Sequence, residues 1–133
     1  MIRRGIVVAV DEKTGKVRVQ MPDLGVVSNW LPVLHHKTHQ DKAYWLPDLN
    51  EYVIVAFDEE GEHSDGYVLG AIYNEADTPP TASKDKYFIK FSDGTEIEYD
   101  RQQHNLRISV NGNITIEASG NIVIKGARID LNP

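Results

Sequence analysis

From His104 onward the chain repeats every eight residues, and that period constrains the fold more tightly than any other feature of the sequence. The octads HNLRISVN (104–111), GNITIEAS (112–119) and GNIVIKGA (120–127) bring Asn105, Asn113 and Asn121 into one column. Leu106, Ile114 and Ile122 form a second column, and Ile108, Ile116 and Ile124 a third. Successive side chains on a strand point to opposite sides, so aliphatic residues two apart share a face. Ile114 and Ile116 therefore lie together with Thr115 opposite, and Ile122 and Ile124 lie together with Val123 opposite. Gly112, Gly120 and Gly126 stand where each strand must turn a corner, by positive φ or by close backbone approach. The repeat predicts short strands, each followed by a bend, stacked in register.

Such a stack, about fifty residues with one narrow apolar stripe, is too small to hold a core of its own. Leu106, Ile108, Val110, Ile114, Ile116, Ile122, Ile124, Ile129 and Leu131 need a surface to bury against. Three copies wound about a common axis supply it, and these nine residues are the predicted trimer core. Two alternatives stand beside the trimer. A solenoid made by one chain needs several complete coils and caps, whereas there are about three octads here. The other is an extra sheet folded onto the preceding domain.

The first half reads as short strands separated by turns. RGIVVAV (4–10) and KVRVQM (16–21) flank a turn at Thr14-Gly15; NWLPV (29–33), YVIVAF (52–57) and GYVLGAIY (66–73) follow. Pro32 is tolerated where its missing N–H faces no ladder partner. Five strands in about seventy residues, with no amphipathic helix between them, predict a small antiparallel barrel of the OB type. From Asn74 the composition turns small, polar and proline-rich, which reads as a linker. Two alternating runs then flank Asp93-Gly94, a strong hairpin signal with Gly94 as the turn glycine. The predicted organisation is all-β: an OB-fold barrel over residues 1–76, a linker over 77–86, and a hairpin plus octad segment over 87–133. That last segment is predicted to be a triple-stranded intertwined β-helix in a homotrimer.

Composition narrows the function. Twenty acidic residues against 14 basic give a net charge of −6, which repels a phosphate backbone and argues against nucleic acid as a partner. No cysteine is present, so neither a disulfide framework nor a thiolate metal site is available. The apolar runs are too short to cross a bilayer, and residues following Met1 do not resemble a signal peptide; the expectation is a soluble product assembled in the cytoplasm.

Four stretches carry a family resemblance: SNWLPVL (28–34), LPDLNEYVIVAF (46–57), GYVLGAIYNEADTPP (66–80) and FSDGTEIEYDRQQHNLRI (91–108). In that order they resemble the phage baseplate assembly protein V family, the central spikes of contractile tails, related to the spikes of type VI secretion systems and R-type pyocins. The resemblance implies a trimeric OB hub beneath the tail tube and a rod pointing toward the target membrane. It implies a structural role in the virion tail baseplate, assembled in the host cytoplasm: the spike is driven forward on sheath contraction and helps breach the cell envelope. Its partners would be tail tube and hub baseplate proteins. Many single-chain spikes of the family end in an apex domain with a His-x-His iron site; here no histidine lies beyond His104. At about 5 Å per eight residues the segment over 87–133 rises only ~20–30 Å. The expectation is either a separate tip protein seated on residues 131–133 or a chain that is part of something longer.

Other candidate sites are weaker. His36 and His39 in HHKTHQ have a spacing that two metal ligands share, but lack an Asp or Cys partner at fixed spacing, so a polar loop is expected. DEEGEHSD (58–65) carries five carboxylates without the order of a calcium loop, and Ser64 beside His63 and Asp65 is a neighbour coincidence rather than a triad. Glu96, Glu98 and Asp100 alternate along one strand in the outline of a glycosidase pair, but are expected to form the wet face of the hairpin. No catalytic residue, metal site or cofactor is predicted. The alternative to a spike is an OB-fold module binding single-stranded nucleic acid or carbohydrate, and the enzymatic alternative is peptidoglycan hydrolysis through Glu96 and Glu98.

Overall fold

The computed structural model describes residues 1–59 and 64–132. It contains β1 (Ile2–Asp11), β2 (Lys16–Met21), β3 (Val26–Val27), β4 (Leu31–Pro32), β5 (Tyr52–Phe57), β6 (Gly66–Ala71), β7 (Lys86–Lys90), β8 (Glu96–Asp100) and β9 (Asn105–Ser109). Two compact units result, Met1–Pro79 and Pro80–Pro133.

The first unit is a six-stranded antiparallel sheet in the order β3-β2-β1-β5-β6, with β4 also on β2. The hairpin between β1 and β2 is set by Asp11, whose carboxylate accepts the Lys13 N–H at 3.0 Å and the Thr14 hydroxyl at 2.9 Å. These bonds hold the Asp11 carboxyl below its ordinary pKa, the Thr14 hydroxyl contributing most. Gly15 completes the turn at φ +70°, a conformation glycine adopts without strain.

β3 and β4 are two pieces of one broken strand. β3 pairs Gln20 and Met21, and β4 pairs Lys16 and Val17. Between them Ser28, fully buried, replaces the missing ladder. Its N–H donates to the Val19 carbonyl at 2.8 Å, and its Oγ accepts the Val19 N–H at 2.9 Å while donating to the Asn29 carbonyl at 2.7 Å. Beyond β4, Val33 bridges Val68 in β6 and the Leu34 N–H donates to the Val68 carbonyl, so the segment touches β2 on one side and β6 on the other. That contact closes the sheet into a barrel.

Alternate positions fill its interior: Val7, Val17, Val19, Met21, Leu31, Val53, Val55, Phe57 and Val68 are the buried core. Outward positions alternate with them, as period-2 geometry requires. The predicted strand over 29–33 contracts to Leu31–Pro32, and β3 was not visible in the sequence. Both pieces are held by neighbours on β2 rather than by a periodic pattern. β1 also begins earlier than predicted, at Ile2, because Ile2 and Arg3 pair with Ala56 and Val55.

The second unit contains the antiparallel sheet β7-β8-β9. Its register places Tyr87, Tyr99 and Leu106 in one cross-strand row and Ile89, Ile97 and Ile108 in another, on the same face. Phe88, Glu98 and Arg107 form a row on the opposite face. The turn after β8 is closed by the Asp100 carboxylate, which accepts the N–H groups of Gln102 and Gln103. No described residue after Ser109 belongs to a strand.

Candidate functional site

An apolar face without a covering layer is the main chemical feature of the second unit. Of the nine predicted trimer-core residues, eight are exposed in the single chain, from 52% at Ile122 through 72% at Ile116 to 85% at Leu131; Val110 is half-buried. Leu106 and Ile108 extend the stripe onto the sheet, where Tyr87 and Tyr99 are exposed beside them. A run of exposed aliphatic side chains of this length is far outside what a solitary folded surface ordinarily shows.

Four glycines were singled out as turn positions. Gly94 has φ +92° in the β7–β8 turn and Gly112 has φ +144° at the start of the second octad. At Gly126 an added Cβ would lie 3.3 Å from the Arg128 carbonyl oxygen, a close approach. Gly120 shows neither feature in the single chain.

The opposite face of the sheet is an ion-pair array. Glu96 accepts from Arg107 at 2.6 Å, and Glu98 lies 3.1 Å from Lys86 and 3.9 Å from Arg107. The hydrogen bond to Glu96 raises the Arg107 pKa further above its ordinary value. Glu98 is buried, which corrects the expectation that Glu96, Glu98 and Asp100 form a wet face. Alternation fixes the side on which a residue lies, but Glu98 is covered by the long side chains opposite it. Chemically the array is unlike a glycosidase pair, whose acid is a desolvated carboxyl without a compensating cation.

On the first unit, His35 packs against Tyr44 at 5.5 Å between ring centroids, and the Tyr44 hydroxyl donates to the Glu12 carbonyl at 2.7 Å. The loop carrying His36 and His39 is closed by the Ala43 N–H donating to the Lys37 carbonyl. Among the described residues no three His, Cys, Asp or Glu side chains come together as metal ligands. Residues 60–63 of the 58–65 stretch, His63 among them, lie outside the described residues; the Asp58 N–H donates to the Asp65 carbonyl at its base. A groove of about 540 Å³ beside Tyr73 is lined by Asp48, Glu51 and Asp77, the wrong sign of charge for a nucleic-acid phosphate.

A barrel, a three-stranded sheet and an octad segment with an uncovered apolar stripe are the features of a component that assembles with other chains. Residues 3–73 match the family described as the type VI secretion system/phage-baseplate injector OB domain, and the chain belongs to that family. It is also 34% identical over 122 residues to the spike protein of Escherichia phage P2. That alignment covers 92% of this chain and 56% of the phage P2 protein, so the chain spans little more than half the length of that relative.

The octad pattern does not reveal the hydrogen bonds that join Asn111 to the β7–β8 turn. The Asn111 N–H donates to Thr95 Oγ1 at 3.1 Å and its Nδ2 donates to the Asp93 carbonyl at 2.9 Å. The departure of Asn111 from the octad column it shares with Ser119 and Ala127 was the available signal.

Proposed function

We propose that this chain is a structural component of the central spike of a contractile phage-tail baseplate, acting as a homotrimer without enzymatic activity. Residues 1–76 form the hub barrel, 77–86 the linker, and 87–133 the hairpin and octad segment that winds with two other copies into a triple-stranded β-helix. The observation that carries the reading is the exposure of Leu106, Ile108, Ile114, Ile116, Ile122, Ile124, Ile129 and Leu131 in the single chain. Every added neighbouring copy buries part of that stripe, and three copies around an axis bury all of it. Similarity to the spike protein of Escherichia phage P2 supports the placement in a tail.

Mechanically, a rod of three intertwined chains transmits axial force without relative sliding, because the backbone bonds of the second and third octads run to other copies. Sheath contraction drives it toward the target envelope, with tail tube and hub proteins above. The virion tail baseplate is its location, reached after assembly in the host cytoplasm. Gold-labelled antibody against the chain, applied to purified tail particles from the producing strain, tests the placement. Label at the distal end of the tail is expected; label along the tube, or particles without the chain, contradicts it.

A further inference from the structure

The octads pose a register problem. β9 is the first octad: Asn105, Leu106, Arg107, Ile108 and Ser109 pair with Asp100, Tyr99, Glu98, Ile97 and Glu96 of β8. The second octad offers Asn113, Ile114, Thr115, Ile116 and Glu117 in the same order, so its asparagine and both aliphatic positions fit β8 equally well. Side-chain pattern alone specifies register weakly when a strand is repeated. A longer turn before the strand does not prevent the slip either, because loop-closure entropy rises only logarithmically with length.

The first octad differs from the second where it touches the ion-pair face and the β7–β8 turn. Arg107 reaches Glu96 at 2.6 Å and Glu98 at 3.9 Å. Slipping by one octad replaces it with Thr115 and leaves buried Glu98 with Lys86 alone. The same slip sets Glu117 opposite Glu96 in place of Ser109, a direct like-charge pair. Asn111 is the second point of difference. The turn that receives it is itself fixed: the Phe91 N–H donates to the Thr95 carbonyl and the Thr95 N–H donates to Asp93 Oδ1, each at 2.9 Å. Thr95 Oγ1 and the Asp93 carbonyl then accept the backbone and side-chain N–H groups of Asn111. Ser119 and Ala127, which occupy its column in later octads, carry no side-chain amide to make the second of these bonds.

We infer that Arg107 and Asn111 are the register keys of the stem: they select the first octad for β8 and so fix the residue at which the octad stem begins. The selection is made within one chain. Its consequence for a three-copy stem, that all chains enter at the same residue, rests on the trimer reading above.

The test converts the keys to the residues of the second octad, Arg107→Thr with Asn111→Ser, in the full chain with only the isoleucine δ1 methyl groups labelled for NMR. The unaltered protein and the control Leu106→Ile, a swap in a column that is not a key, each give one methyl signal per stem isoleucine. The double variant is expected to give doubled signals for Ile108, Ile114, Ile116, Ile122 and Ile124, with Asn111→Ser alone giving a smaller second population. One unshifted set of signals in the double variant overturns the inference. Loss of the three-stranded sheet in Asn111→Ser alone overturns it too, since Asn111 is then a support of the sheet and not a selector of register. Absolute mass recorded on the same samples separates the two claims: a one-chain mass with doubled signals refutes the trimer and leaves the keys standing.

Discussion

Replacing Ile116 by alanine tests the axial stripe quantitatively. Ile116 is 72% exposed in the single chain, so nearly all the stabilisation its side chain can supply comes from other copies. Burying an aliphatic side chain of this size is worth roughly 1.5–3 kcal/mol, and truncation to alanine removes most of it, about 1.7 kcal/mol per chain. In the proposed trimer three copies share the layer, giving about 5 kcal/mol per trimer and a fall of roughly 10^3.6 in the association constant. The midpoint concentration of a monomer–trimer equilibrium scales as the inverse square root of that constant, so it rises by roughly 60-fold. Sedimentation equilibrium across a dilution series reads the shift. Thr115→Ala, on the other side of the same segment, is the matched control and moves the midpoint little. An unmoved midpoint for Ile116→Ala, or equal shifts for both variants, refutes the assignment of this face to the axis.

Three further outcomes are expected. Ser28→Ala leaves the buried Val19 N–H without its Oγ acceptor and lowers barrel stability by about 1–3 kcal/mol in denaturant titration, with the m-value unchanged. Glu98→Gln removes the charge facing Lys86 and Arg107 and lowers the melting temperature of the second unit by calorimetry; wall-clearing activity that is present in the unaltered chain and abolished by this change would contradict the structural role. Asp93 has its pKa depressed, chiefly by accepting the Thr95 N–H, so its folded form gains stability that is present above the ordinary carboxylate value and lost as pH falls through the depressed folded value. The stability difference between the unaltered chain and Asp93→Ala is therefore constant at neutral pH and narrows below about pH 4; a difference that widens on acidification refutes the sign.

What could be read from the sequence depended on whether a residue's role follows from its own neighbours in the chain. Lys16–Met21 was legible to the residue because strict alternation marks it, and Tyr52–Phe57 because a short apolar run is bounded by polar residues at both ends. The Asp93-Gly94 turn was legible for the same reason. Val26–Val27 was not, since two residues carry no period and pair only because Gln20 and Met21 lie alongside. Glu98 was misplaced in water because its cover comes from side chains on two other strands, Lys86 and Arg107. The octad columns identify the exposed aliphatic stripe, because a repeat displays only what the octads share. Arg107 and Asn111, which break the repeat, make the contacts that distinguish one octad from the next.

Absolute mass in solution, by light scattering on a sizing column at several protein concentrations, tests the central claim most directly. The account predicts three times the 15.0 kDa chain mass, independent of concentration over the range where the stem stays associated. A mass of one chain, with the stripe from Leu106 to Leu131 still exposed, would contradict it.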